Sequence, residues 1–304
     1  MTKHTEGLHP LTRKLLLIIN PVSGKKLMLR HIPQVIRIFM DAGYLVSTMI
    51  TARRGEATEF VRRYGKDHDL IVCSGGDGTL NETLTGLAAE GLRRPLGYIP
   101  CGSTNDFAIS HQLSSDILTA ARCIASGEVT RYDIGRFGTH YFSYVAAFGA
   151  FSWLSYSTDQ NLKNVLGHTA YVLDGIKDLP KVKPYRVRLR ADGTLHEGSY
   201  LFGAVCNTTS IAGTIELPKD LVDPRDGIFE VLLIREPKTL MEFQSIVLGL
   251  MTQDYSCPQI ELFQAKQLDV ENPPDLDWTL DGEFPGHYDR VHIEPMPGFL
   301  QLQG

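Results

Sequence analysis

One stretch, Ser74-Gly-Gly-Asp-Gly-Thr-Leu-Asn-Glu-Thr-Leu-Thr-Gly-Leu87, constrains the fold of this chain more than any other. It follows the apolar run Leu70-Ile71-Val72-Cys73, which reads as a short buried strand. Leu80, Leu84 and Leu87 then recur at helical spacing, with Thr79 or Asn81 available near the helix start. A strand, a glycine-rich turn and a helix N-terminus in succession build an anion site, because unpaired N–H groups and the helix dipole favour phosphate. Gly75, Gly76 and Gly78 are expected to adopt backbone angles closed to other residues and to let a ligand approach the main chain. Asp77 is out of place in a bare phosphate site, since a carboxylate repels phosphate unless a cation or a sugar hydroxyl intervenes. The stretch therefore predicts a nucleotide held partly through Mg²⁺ or ordered water. An ordinary strand-to-helix turn is the competing reading.

Two familiar loops are excluded. A P-loop needs G-x-x-x-x-G-K-[ST], and Gly24-Lys25-Lys26 has neither the earlier glycine nor the following hydroxyl. The dinucleotide fingerprint G-x-G-x-x-G fits Gly76 and Gly78 but meets Asn81 at its last position.

The pattern around this stretch repeats. Leu15–Ile19 is an apolar strand running into Asn20-Pro-Val-Ser-Gly24; Ile32, Val35, Ile36, Phe39 and Met40 mark a helix face that Gly43 stops. Tyr44–Ile50 is a second strand, ending at Thr51, with Gly55-Glu56-Ala57 opening a helix. Pro95–Pro100 is a fourth strand, running into Cys101-Gly-Ser-Thr-Asn-Asp-Phe107, and Ser114-Ser115-Asp116 caps a helix that Gly127 ends. Strand–helix alternation predicts a doubly wound parallel sheet over residues 13–130. The polar turns at 20–26, 51–57, 74–81 and 101–107 all follow strands, and in such sheets ligands bind outside the strands' carboxyl ends.

Beyond 130 the pattern changes. Strands are expected at Tyr132–Arg136, Tyr141–Phe148, Tyr185–Arg190, Tyr200–Asn207, Ile228–Ile234, Gln267–Glu271, Trp278–Leu280, Arg290–Glu294 and Phe299–Leu302. Helices are expected only at 163–179 and 238–251, so residues 131–304 form a β-rich, mostly antiparallel domain. Arg186, Arg188 and Arg190 alternate with Tyr185, Val187 and Leu189, which reads as a solvated strand face. Phe142, Phe148, Phe151, Trp153 and Leu154 are available to line an apolar groove, though core packing is the commoner use. His68, His111 and His168 stand without metal-ligand spacing and read as surface or capping residues.

Composition narrows the function. A net charge of −5 argues against a dedicated nucleic-acid binder. The five cysteines lack CxxC spacing and read as reduced core residues of a cytoplasmic protein. The N-terminus shows no apolar signal region and no run approaches a membrane span, so any membrane contact is expected to be peripheral.

Asn20-Pro-x-Ser-Gly, Gly75-Gly-Asp-Gly-Thr-Leu-Asn, Pro100-x-Gly-Ser-Thr-Asn-Asp-Phe-Ala, Asp223-Pro-Arg-Asp-Gly-Ile-Phe-Glu-Val and Leu280-Asp-Gly-Glu283 occur in this order. Together they resemble the diacylglycerol kinase catalytic-domain family, specifically the soluble bacterial lipid kinases related to diacylglycerol and sphingosine kinases. The resemblance covers nearly the whole chain. It implies an α/β nucleotide domain followed by a β-sandwich-like domain, as in NAD kinases and diacylglycerol kinases, with the site in the cleft between them. It implies ATP contacts from Asn20, Pro21, Val22, Ser23, Gly24, Thr51, Gly75, Gly76, Asp77, Gly78, Thr79, Leu80, Asn81, Thr104, Asn105 and Asp106. Asp106 and Asp133 match acidic positions that organise metal-bound water; a helix N-cap and a strand-end turn are their structural alternatives. A structural Mg²⁺ is implied at the Asp226 side chain with main-chain oxygens of Asp223 and Ile228; a plain Asx turn explains the same letters.

The activity so implied is ATP- and Mg²⁺-dependent phosphorylation of the free hydroxyl of a diacylglycerol-like lipid at a membrane surface, with a role in phospholipid metabolism. Asp77 and Glu283 are the expected catalytic acids, with Glu283 as general base and Asp281 orienting it or the metal water. Alternation of Leu280 and Gly282 with Asp281 and Glu283 predicts both acids on one side of an extended segment. An NAD kinase-like enzyme and a nucleotide-binding regulator without catalysis are the alternatives. The acceptor lipid stays open, and a homodimer is a family-level expectation.

Overall fold

The structure, a computed structural model, describes residues 12–24, 26–149, 183–211 and 215–304. It divides into two compact units, Met1–Tyr132 with Gly298–Gly304, and Asp133–Pro297.

The first unit alternates β1 (Arg13–Ile19), α1 (Met28–Asp41), β2 (Tyr44–Ile50), α2 (Glu56–Tyr64), β3 (Leu70–Gly75), α3 (Asp77–Ala89), β4 (Pro95–Pro100), α4 (Asp106–Ser110) and α5 (Ile117–Ser126). Its strands run parallel in the order β2-β1-β3-β4. Continuous apolar runs suit this position, because a parallel sheet is covered on both faces; β3 is buried throughout. Leu15, Leu17 and Ile19 pack with Val35 and Phe39 of α1 and with Ala120, Ala121 and Ile124 of α5. The alternate residues face the other side, where α2 and α3 pack against each other.

The chain passes into the second unit within β5 (Val129–Phe137) and returns within β16 (Arg290–Gln303). Sequence pattern places two strands at Arg290–Glu294 and Phe299–Leu302 and assigns both to the second domain. The structure differs: they are one strand, and its end pairs in parallel with β4 through Gln301 and Leu302. That pairing returns Gly298–Gly304 to the first unit.

The second unit contains β6 (His140–Phe142), β7 (Val145–Gly149), β8 (Tyr185–Ala191), β9 (Thr194–Cys206), β10 (Ser210–Ile211), β11 (Ile215–Glu216), β12 (Phe229–Arg235), α6 (Leu240–Thr252), β13 (Ile260–Ala265), β14 (Leu268–Glu271) and β15 (Trp278–Leu280). Antiparallel neighbours run β13-β12-β9-β8-β14-β16, while β7 pairs with both β9 and β15. The architecture is β-sandwich-like around one apolar core that includes Phe142, Phe148, Val187, Leu189 and Trp278. Phe142 and Phe148 are thus core residues, not groove lining; Phe151, Trp153, Leu154, His168 and the helix expected at 163–179 lie outside the described residues. Arg188 on the outer face of β8 pairs with Glu197 and Glu271, as a solvated face does. α6 opens with a reciprocal cap: Thr239 accepts from the Glu242 N–H and Glu242 from the Lys238 N–H. No helix among the described residues is long and apolar enough to cross a membrane.

His68 is buried and His111 half-buried, and both are capping residues at helix ends. Each places Nδ1 2.8–3.0 Å from a carbonyl of the preceding helical turn, Tyr64 and Phe107 respectively. All five cysteines are free, but only Cys73 and Cys206 are buried.

Candidate active site

Three loops meet at the carboxyl ends of β1, β3 and β4. The Asn20 N–H donates to the Ser74 carbonyl at 2.9 Å and the Cys101 N–H to the Gly75 carbonyl at 2.7 Å. Gly24, at φ +51°, approaches so closely that a Cβ there would lie 2.2 Å from the Cys101 oxygen. A Cβ on Gly102 would lie 2.5 Å from the Gly76 Cα. The glycines of the central turn work differently from the expectation. None of Gly75, Gly76 and Gly78 has a positive φ, and Gly76 is extended at φ −92°, ψ −173°. Gly75 and Gly76 serve by absence of bulk: a Cβ on Gly75 would lie 2.3 Å from Thr79 Oγ1 and one on Gly76 3.3 Å from the Gly102 Cα.

The side chains lock the loops. Asn20 donates from Nδ2 to Thr79 Oγ1 at 3.1 Å and accepts at Oδ1 from the Val22 N–H. Thr51 donates its N–H to the Ile19 carbonyl at 2.9 Å, which holds it beside Asn20. Helix α3 starts at Asp77, so Thr79 and Asn81 are helical residues and not its cap; Leu80 is buried. Asn105, left-handed at φ +56°, accepts at Oδ1 from Gly102 N–H and Tyr98 O–H and donates from Nδ2 to the Gly102 carbonyl. It holds the loop shape, while Ser103 and Thr104 are exposed. Val22 is also exposed, and Pro21, Ser23 and Gly24 complete that turn.

Asp77 has a structural partner that sequence does not reveal. Its carboxylate accepts from the Asp106 N–H at 3.1 Å and the Phe107 N–H at 3.3 Å, capping α4. Burial, and secondarily the Asp77 charge, push the Asp106 carboxyl above its ordinary value. Each carboxylate oxygen can accept twice, so capping leaves acceptor sites on Asp77. Two crowded acids beside an anion site fit a Mg²⁺ ion, which commonly takes one or two carboxylates and completes its shell with phosphate and water.

Glu82 was not singled out by sequence, yet its carboxylate accepts from the Gly55 N–H at 2.7 Å and the Ala57 N–H at 3.2 Å, capping α2. Asp116 caps α5 through the Thr119 N–H. Thus α2, α4 and α5 each have a carboxylate at the N-terminus, whereas among the described residues no side chain accepts from the first amides of α1 and α3. The uncapped helices follow the glycine-bearing loops at 20–24 and 75–78. At α3 the Thr79 and Leu80 N–H groups donate to the Gly76 carbonyl, and the Asp77 and Gly78 amides ahead of them, with the positive dipole end, suit an anion.

In the second unit, Leu280 and Glu283 exchange both backbone hydrogen bonds, at 2.8 and 2.9 Å. Asp281 and Gly282 between them have φ +50° and +85°. This is a two-residue hairpin turn of the Asp-Gly type, not the extended segment expected, so the two acids do not share one side of a strand. Asp281 is buried and accepts four hydrogen bonds, from Ser143 N–H and O–H, Tyr144 N–H and Val145 N–H, at 2.6–3.1 Å. Glu283 follows, half-buried, next to the exposed Gly282.

Asp133 is buried in the same unit and accepts from the Gly227 N–H at 2.6 Å, tying β5 to the turn 223–227. That turn is satisfied internally: Asp226 accepts from the Ile228 N–H, Asp223 from Arg225, and the Asp223 carbonyl from the Asp226 N–H. Nearby Glu230 is fully buried with Oε2 unpartnered; burial first, with Asp226 and Asp223, pushes its carboxyl up to about 7. Among the described residues no three His, Cys, Asp or Glu side chains cluster as a metal site. The hydrogen bonds of the turn account for Asp223 and Asp226 without a cation.

A glycine-rich turn opening a helix at the ends of parallel strands, in a chain with a second, β-sandwich-like unit, defines a class of two-unit α/β proteins. Within that class the chain belongs to the diacylglycerol kinase family, a family of kinases. Residues 14–137 match the diacylglycerol kinase catalytic domain and 152–304 the YegS C-terminal NAD kinase beta sandwich-like domain. A diacylglycerol kinase of Staphylococcus saprophyticus is 34% identical over 91% of this chain and 93% of its own length. One of Bacillus subtilis is 34% identical, covering 89% of each. In fold the chain resembles a solved diacylglycerol kinase of Bacillus anthracis, with a TM-score of 0.74 at 22% identity, covering 96% of both chains.

Proposed function

We propose that the protein is an ATP-dependent lipid kinase that transfers the γ-phosphoryl group to the free hydroxyl of a diacylglycerol-like lipid. The observation that carries this reading is the uncapped α3 N-terminus behind Gly75–Gly78, in a unit whose α2, α4 and α5 termini are each closed by a carboxylate. Phosphoryl transfer depends mainly on positioning and charge neutralisation. The N–H groups at the start of α3 would bind donor phosphates, and Asn20 and Thr79, already bonded together, would fix the loop they face. Asp77 and Asp106 would hold Mg²⁺, which when bound neutralises phosphate charge. Glu283 would accept the proton of the lipid hydroxyl as attack proceeds. Asp281 keeps its hairpin in register through Ser143, Tyr144 and Val145.

The lipid acceptor places the working enzyme at a membrane surface as a peripheral protein, with phospholipid metabolism as its setting. The test is incubation with γ-labelled ATP, Mg²⁺ and diacylglycerol in mixed micelles. Label in the corresponding phosphatidic acid is expected. Label in NADP when NAD is supplied, with none in lipid, would overturn the reading in favour of an NAD kinase-like enzyme.

A further inference from the structure

Helix α3 carries the glycine turn at its start and Glu82 one turn later. Glu82 and Gly86, four residues apart, share one helix face, and that face meets the first turn of α2. The Thr58 hydroxyl donates to the Glu82 carbonyl at 2.7 Å, and a Cβ on Gly86 would lie 2.7 Å from Val61. The Glu82 carboxylate reaches further, to the N–H groups of Gly55 and Ala57. Those residues end the segment 51–57, which begins at Thr51 beside Asn20. The segment is held as well by the Thr51 N–H and hydroxyl on the Ile19 carbonyl and by the Ala52 N–H on Glu56 at 2.5 Å. Arg53, in its middle, is engaged by Glu59.

We propose that Glu82 is a positioning residue for the donor nucleotide, setting the segment 51–57 relative to the phosphate-binding turn through the single helix α3. The proposal rests on the reading of this unit as the donor site. Glu82 acts through backbone amides of Gly55 and Ala57. Its loss therefore alters how well the nucleotide is held, not the chemical step. It also neutralises the α2 N-terminus, leaving α3 as the neighbouring terminus open to phosphate. A purely structural cap would stabilise α2 without affecting nucleotide affinity.

The test uses the full chain with a non-hydrolysable ATP analogue, steady-state kinetics with diacylglycerol micelles, and hydrogen exchange at residues 55–57. Glu82→Gln keeps one acceptor oxygen and loses the other. It is expected to raise the analogue Kd and the KM for ATP together by roughly tenfold, the size of one charge-assisted hydrogen bond. The expected kcat stays within about twofold, because the transition-state contacts are untouched. Exchange at residues 55–57 should quicken. Gly55→Ala perturbs the same segment from the other side, since Gly55 sits at φ +84°, and should raise KM for ATP likewise; it keeps the question answerable if Glu82→Gln folds poorly. Faster exchange with unchanged Kd would overturn the proposal, as would a fall in kcat at constant KM. Failure of the wild type to bind the analogue would instead overturn the donor-site reading, while the exchange response to Glu82→Gln would persist.

Discussion

Two acid-bearing turns, one in each unit, use the same letters for different ends. In the first unit the Asp77 carboxylate caps α4, and the helix that Asp77 itself begins stays uncapped. In the second unit the Asp281 carboxylate is enclosed by four donors, and the acid two residues on is half-buried at the hairpin end. One turn thus presents amides with a carboxylate alongside; the other presents a carboxylate on a scaffold that a second carboxylate holds. The difference teaches that an acid in a glycine-rich motif can be framework and chemistry at once, and its hydrogen bonds show which substitution separates the two.

The largest expected effect separates Glu283 from its scaffold. Glu283→Gln should lower lipid phosphorylation by ~10²–10⁴-fold, the usual range for a lost general base. ATP-analogue binding and melting temperature should match wild type. Retained lipid turnover would remove Glu283 from the mechanism and leave the hairpin as framework alone. Asp281→Ala attacks the scaffold itself. It strips the acceptor from four buried or partly buried donors, so stability should fall by about 3–5 kcal/mol in denaturant titration. A loss under ~1 kcal/mol would show that water replaces the carboxylate and that the contrast between the turns is smaller than the hydrogen bonds suggest.

Much of this contrast was hidden in the sequence for a physical reason. Elements set by neighbours along the chain were legible: the buried run Leu70–Cys73, the α5 cap at Asp116 and the alternation of β8 all follow local rules. The Asp-Gly pair at 281–282 also carries a hairpin signal, but only when weighed against strand alternation. The acceptor–donor pairs were not legible. Ser143 and Asp281 are 138 positions apart, Gly55 and Glu82 are 27 apart, and only topology brings them together. β13 has a weak pattern because among the described residues it is a sheet edge, pairing with β12 alone, and most of its residues are partly exposed. The sequence of β16 reads as two strands because Pro295, Pro297 and Gly298 interrupt its pattern. Of the expected donor-site residues, Asn20, Thr79, Asp77, Asn105 and Asp106 converge at the three loops; the position of a bound nucleotide would decide which of them touch it.

Each unit also holds an acid raised by burial, Asp106 in the first and Glu230 in the second, and Glu230 offers the larger pH signature. Its folded-state value of about 7 lies above the ordinary 4.5, so the folded protein binds this proton more tightly than the unfolded chain. The stabilisation is therefore complete below about 4.5 and is lost as pH rises through about 7. The shift corresponds to about 3 kcal/mol. Measured in chelator, wild-type stability should decline across that window relative to Glu230→Gln, whose amide does not titrate. Parallel pH profiles for the two would show that the Glu230 carboxyl titrates alike in the folded and unfolded chains, with no upward shift from burial.

Asp77→Asn tests the double use of that acid. The amide keeps one acceptor for α4, so a cap loss near ~1 kcal/mol is expected. Turnover should fall further than that, by roughly 10–100-fold, if the charge also supports a phosphate-bound cation. Added Mg²⁺ should recover part of it. A variant that loses stability but keeps its kcat and its Mg²⁺ dependence would make Asp77 a cap and nothing more, and the two turns would then differ only in what lies beside them.

The smallest effect is expected at the turn 223–228, where the family resemblance implies a structural Mg²⁺ and the observed hydrogen bonds suffice without one. Asp226→Ala removes the bond from the Ile228 N–H, a loss of about 1 kcal/mol for one turn hydrogen bond. Asp133 still holds the turn through the Gly227 N–H, so the fold should survive. A bound cation would add a second, separable contribution. Ligand that binds only the folded state stabilises by mass action, and occupancy at 100 times Kd would contribute about 2.7 kcal/mol. The Asp226 carboxylate with the main-chain oxygens of Asp223 and Ile228 are the groups the ion would need, and the Asp223 carbonyl already accepts from the Asp226 N–H. Melting curves of wild type and Asp226→Ala, each with chelator and with millimolar Mg²⁺, therefore divide the readings. A melting temperature that rises with Mg²⁺ in wild type but not in the variant is the expected result of a metal-holding turn. Equal curves with and without Mg²⁺, offset only by the small Asx-turn loss, would assign the turn wholly to its own hydrogen bonds.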